Sequence, residues 1–84
     1  MDLSEARSTA EAFLDERMRP RFSHEIVILG DFVKERGDAW VFPYNGRGYV
    51  ERGDINEAMA GNAPLAVSKE TGAVTFDVYR RGAE

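Results

Sequence analysis

The sequence contains no cysteine, a single histidine and only three prolines among its 84 residues. Without thiols there can be no disulfide, no thiolate metal site and no Cys-His catalytic pair, which fits a reducing compartment. The one histidine, His24, follows the first helical segment. None of the serines at 8, 23 and 68 lies in a nucleophile-elbow context, so His24 reads as a surface turn residue rather than a base. No apolar run approaches the roughly 20 residues that span a bilayer. The opening "MDLSEARSTAEAF" is too polar and acidic for a secretion signal. A basic excess is also missing: 15 acids against 11 bases leave a net charge of −4, the opposite of what phosphate neutralisation requires. Arg17, Arg19, Arg21, Arg80 and Arg81 do cluster locally, and they read as solvated ends of elements. Composition therefore points to a cytoplasmic protein with neither nucleic acid nor membrane as partner.

What remains is a chain with 43% apolar residues, among them one Trp, three Tyr and five Phe. That is enough for one small domain over residues 1–84. Leu3, Ala6, Ala10, Phe13, Leu14 and Met18 recur at spacings of mainly three and four, which predicts an amphipathic helix over 3–18. Asp2 with Glu5 forms a capping-box pattern. Asp15 and Arg19 are ordered for an i,i+4 pair, and Pro20 ends the helix.

"EIVILGDFVKER", 25–36, reads as one strand with a bulge at Gly30. "ERGD" is a hairpin turn, and Ala39–Tyr44 is the next strand, disturbed at Pro43. Trp40, Phe42 and Tyr44 lie on one face of it. The glycine-rich stretch 45–54 reads as irregular, with Tyr49 and Val50 making a short strand or anchoring the loop. A short helix is expected at 55–60, with Asp54 as its N-cap, Glu57 completing a second capping box and Gly61 closing it in αL. Leu65–Ser68 is a strand, "KETG" a turn ending at Gly72, and Val74, Phe76 and Val78 alternate with Thr75, Asp77 and Tyr79 in a last strand. The order is α-β-β-(short α)-β-β. The fold class is α+β, with the N-terminal helix packed on a four-stranded antiparallel sheet.

The search for chemistry ends without a catalytic residue. Glu51, Asp54 and Glu57 lack the alternating oxygen donors of a calcium loop, and no His, Asp or Glu stands at metal-ligand spacing. The glycines at 46, 48 and 53 match neither a phosphate loop nor a dinucleotide fingerprint. No cofactor is expected, and the chain reads as a non-enzyme. Binding is left. Trp40 and Phe42 are expected in the core. Tyr44 and Tyr49, beside glycines and near the break at Pro43, stand open between core and contact surface. With Glu51, Asp54 and Glu57 at its rim, such a patch would suit a protein partner with a basic surface.

"AWVFPYN", "YVERGD" and "GNAPLAVSKETGAV" together resemble the YrhB-like, or immunity protein 35, family. "EAFLDER" looks like that family's opening helix segment, and "YVERGD" like its "FLetGD". "GNAPLAVSKETGAV" looks like its most specific signature in content and spacing. The resemblance spans about residues 5–76. It makes Trp40, Gly53, Asp54, Gly61, Asn62, Pro64 and Gly72 signature positions with mainly structural roles. Family members often continue past the final strand with a glycine-threonine turn and a helix, whereas this sequence ends in "FDVYRRGAE". The resemblance implies a bacterial immunity protein that binds and neutralises a polymorphic toxin domain. Its alternatives are a heat-shock-associated, chaperone-like protein and a non-catalytic interaction module.

Overall fold

A computed structural model describes residues 1–59 and 63–77. The first helix, α1, runs Leu3–Phe13. The Asp2 carboxylate accepts from the Glu5 N–H at 2.9 Å and the Asp2 N–H donates to the Glu5 carboxylate at 3.1 Å. This is the predicted capping box, which satisfies two otherwise unpaired donors.

The helical rod continues beyond α1 with altered winding. Over Leu14–Met18 it widens to a π turn, and the Arg19 N–H donates to the Leu14 carbonyl five residues back. A 3-10 turn, Arg19–Arg21, follows. The sequence reading has Pro20 ending the helix. It sits instead in the first turn of that 3-10 segment, where its missing N–H has no partner to lose. Arg19 fixes this end. Its guanidinium donates to the Ile26 carbonyl at 2.7 and 3.2 Å, to Glu11 at 2.8 Å and to Asp15 at 2.7 Å. The Asp15–Arg19 pair is the one the spacing predicted.

The expected strand 25–36 is divided. β1 is Ile26–Ile28, a 3-10 turn covers Gly30–Phe32, and β2 is Lys34–Arg36. The second arm divides too, into β3, Ala39–Phe42, and β4, Tyr44–Gly46, on either side of Pro43. β2 pairs with β3 and β1 with β4, so the two arms form one bent hairpin. The three residues of the Gly30–Phe32 turn make up the offset between the two registers. At the bend the Leu29 N–H donates to the Pro43 carbonyl at 2.9 Å. Pro43 can only accept, which is why the ladder breaks there. Gly37, at φ 60°, makes the hairpin turn.

The stretch expected to be irregular contains the second helix, α2, Arg47–Arg52, closed by Gly53 in the αL conformation at φ 70°. The expected helix at 55–60 is one 3-10 turn, Ile55–Glu57. Asp54 caps it as predicted, accepting from the Asn56 N–H at 3.0 Å. Glu57 makes no capping box; its carboxylate accepts from the Gly48 N–H at 2.9 Å instead. Gly61 and Asn62, assigned to the joint after this turn, lie outside the described residues. β5 is Leu65–Ser68 and β6 Val74–Phe76. Between them the predicted turn closes at Gly72, φ 77°. Val78 and Tyr79, expected in the last strand, lie outside the described residues.

The four-stranded sheet has order β2-β3-β5-β6, all antiparallel, as the α+β reading required. Trp40, Phe42, Leu65 and Val67 share the sheet face that meets α1. Ala6, Ala10 and Leu14 bury the helix stripe against it, and Ile26, Ile28, Tyr44 and Met59 extend the cluster. Phe13 meets Phe76 edge-on, with ring centroids 5.8 Å apart. Phe42, Leu14, Ile26, Leu65 and Val67 are the largest fully enclosed side chains among the described residues. Each is worth about 1.5–3 kcal/mol against exposure. Leu3, expected on the buried stripe, is largely exposed.

Candidate protein-docking surface

The segment from Asn45 to Met59 is folded back on itself by side-chain-to-backbone bonds. Asn45 Oδ1 accepts from the Gly46 N–H at 2.8 Å and from the Met59 N–H at 2.7 Å, joining both ends of the segment. The Glu57 backbone crosses directly over Gly46, where a Cβ would overlap the Glu57 carbonyl oxygen. The Glu57 carboxylate covers Gly48, where a Cβ would overlap it as well. The two glycines at 46 and 48 are therefore small because the 3-10 turn packs on them. The Gly53 N–H donates to the Tyr49 carbonyl at 2.9 Å, and the Asp54 N–H to the Gly48 carbonyl at 3.2 Å.

An open groove of about 600 Å³ lies beside α2, lined by Glu25, Arg47, Glu51, Arg52, Asp54 and Glu57 with Ser23, His24, Gly48 and Asn56. Arg47 donates to Glu51 at 2.8 Å and Glu25 at 3.0 Å. The hydrogen bond to Glu51 and then that to Glu25 raise the pKa of its guanidinium. Arg52 is held loosely, 3.4 Å from Glu57 and 4.0 Å from Asp54. His24 is more enclosed than a surface turn residue. Its ring tilts against Phe22 at 5.5 Å, and Nε2 is buried with no hydrogen-bond partner among the described residues. Outside the groove, α2 and the following turn expose Tyr49 (42%), Val50 (48%) and Ile55 (79%).

Of the predicted contact residues, Glu51, Asp54 and Glu57 meet in one groove, and Tyr49 stands exposed on the same short helix. Tyr44 does not join them. At 6% exposure it belongs to the core, and burial raises the pKa of its phenol. Its place on β4, opposite Ile28, turns the ring inward. Trp40 is half-buried on the core, with the Lys69 ammonium 4.8 Å from its ring centroid and Nε1–H donating to the Met1 carbonyl at 3.2 Å. Among the signature positions, Gly53 and Gly72 occupy left-handed turns, Asp54 is a cap, and the Pro64 carbonyl accepts from the Asp77 N–H at 2.7 Å beside β5. All four roles are local structure.

Residue reasoning missed Ile55 and Val50, the most exposed apolar side chains of the segment. It also missed the arginine pairs that balance the acids. The i,i+4 spacing of Arg47 and Glu51 was the available signal once a helix is placed at 47–52. Among the described residues no group of three or more His, Cys, Asp or Glu could hold a metal ion. No described helix is long and apolar enough to cross a membrane.

A family model described as immunity protein 35 matches residues 4–82. Comparison with curated proteins and with solved structures gives no match.

Proposed function

The chain belongs to the immunity protein 35 family, and from that membership we propose that it is a bacterial immunity protein that neutralises a cognate polymorphic toxin by stoichiometric binding. The observation that carries the reading is the family match over residues 4–82. The protein acts in the cytoplasm of the producing cell, and residues 1–84 work as one domain. Its task requires occlusion rather than turnover, so the reading takes it as a non-enzyme. The contact residues are Tyr49, Glu51, Asp54 and Glu57, with Tyr44 supporting them from the core. The groove and the exposed face of α2 support this choice, because exposed aromatic and apolar side chains supply most binding energy and complementary charge speeds encounter. The test is survival of a sensitive bacterium expressing the toxin domain encoded beside this chain. Rescue by co-expression of the chain is expected; equal killing with and without it would contradict the reading.

A further inference from the structure

We infer that the exposed apolar side chains of Tyr49, Val50 and Ile55 form the docking surface, and that it fits a protein partner presenting an apolar depression edged by lysine or arginine. The inference deepens the immunity reading and rests on it. Ile55 carries the argument first. It is 79% exposed, the most exposed large apolar side chain among the described residues. It follows the Asp54 cap directly, in a turn whose own bonds use only backbone and the Asp54 side chain. The fold gains almost nothing from an isoleucine there, since a side chain left in water contributes little burial energy. Tyr49 and Val50 add two half-exposed neighbours from α2, so three apolar side chains project from one seven-residue stretch.

That stretch is tied down by its own bonds. Gly53 in αL, the Glu57 carboxylate on the Gly48 N–H and the Asn45 bridge to Met59 fix its backbone. Little ordering entropy is then lost on binding. Charge selects the occupant. The adjoining groove carries four acids, Glu25, Glu51, Asp54 and Glu57, against Arg47 and Arg52. Two of the chain's four net negative charges therefore sit in the groove beside that stretch. A second copy of this chain would bring like charge, and nucleic acid would bring phosphates; both meet repulsion. A basic protein surface does not. Arg52, held at 3.4 and 4.0 Å, is the cation a partner's arginine could displace from Glu57 and Asp54.

The experiment measures equilibrium binding of the chain to the toxin domain encoded beside it, for wild type, Ile55→Ala, Glu51→Lys and Glu16→Lys. Ile55 and Glu16 are highly exposed, so neither change threatens the fold. Glu16→Lys alters net charge as much as Glu51→Lys does, but on the π turn. Ile55→Ala should weaken binding at least tenfold, the scale of a central apolar contact of about 1.4 kcal/mol. Glu51→Lys should weaken it more than Glu16→Lys and chiefly slow association. Wild-type affinity retained in both Ile55→Ala and Glu51→Lys overturns the surface while the immunity reading stands. Equal losses in Glu51→Lys and Glu16→Lys would reduce the charge argument to net charge and overturn the stated basic rim. A wild-type chain that neither binds nor protects overturns both.

Discussion

Gly46 and Gly48 are two residues apart and both face Glu57, yet substitution should affect them very differently. At Gly46 a Cβ meets the Glu57 backbone, which cannot move without undoing the 3-10 turn. Gly46→Ala should cost about 1–3 kcal/mol in urea denaturation, the range of a buried steric conflict. At Gly48 a Cβ meets only the end of the Glu57 side chain. That carboxylate can swing out, giving up its bond to the Gly48 N–H, while alanine gains about 1 kcal/mol of helix propensity. Gly48→Ala should change stability by less than about 1 kcal/mol. Similar losses for the two would contradict the account of the segment.

Tyr44 also acts at this scale. Burial raises its phenol pKa, so between the unfolded value of about 10 and the higher folded one the folded state holds more protons than the unfolded state. Stability should fall as pH rises above about 10. Absorbance titration should show a late-ionising phenol phase, and Tyr44→Phe should remove it. The neighbouring sequence could not separate Tyr44 from Tyr49: both are tyrosines near glycine. What separates them is the element each occupies. Tyr44 lies in β4, paired with Ile28 over the core; Tyr49 lies on a helix face turned to solvent.

α1 was legible in the sequence because its apolar spacing and capping box agree. α2 was not. Two of its first four positions from the N-cap are glycine, and glycine is read as a breaker. Here Gly46 is demanded by the close crossing of the Glu57 backbone, and Gly48 lies under the Glu57 carboxylate, tertiary facts that local propensity does not contain. The division of 25–36 into β1 and β2 had the same origin. Gly30 signalled an irregularity, but its size, a full 3-10 turn, follows from matching two arms that bend at Pro43. At the end of the π turn the Arg19 guanidinium is bound to the Ile26 carbonyl, Glu11 and Asp15. Removing that anchor tests its contribution. Arg19→Ala deletes bonds to Ile26, Glu11 and Asp15 together. It should cost about 1–3 kcal/mol, as expected for a charged donor serving a partly buried acceptor. Arg19→Lys, a point charge without the planar fork, should recover only part of the loss. Full stability in Arg19→Ala, measured by thermal or urea unfolding, would show that the π turn holds without it.

On the scale of the whole molecule, fold class and kinship were both readable. Hairpin-linked strands and one amphipathic helix admit few arrangements, and the family match runs over nearly the whole chain, residues 4–82. In the described part of the signature "GNAPLAVSKETGAV", Pro64 precedes β5 and Gly72 lies in the turn to β6. The candidate contact surface was only half legible, since acids show in a sequence and outward-facing apolar side chains do not. The proposed function is stoichiometric neutralisation. Titration of the chain into a fixed amount of the neighbouring toxin domain, with residual toxin activity as readout, tests it most directly. Activity should fall in a straight line and vanish at one chain per toxin. Full suppression by a small fraction of an equivalent, growing with incubation time, would show turnover and contradict the claim.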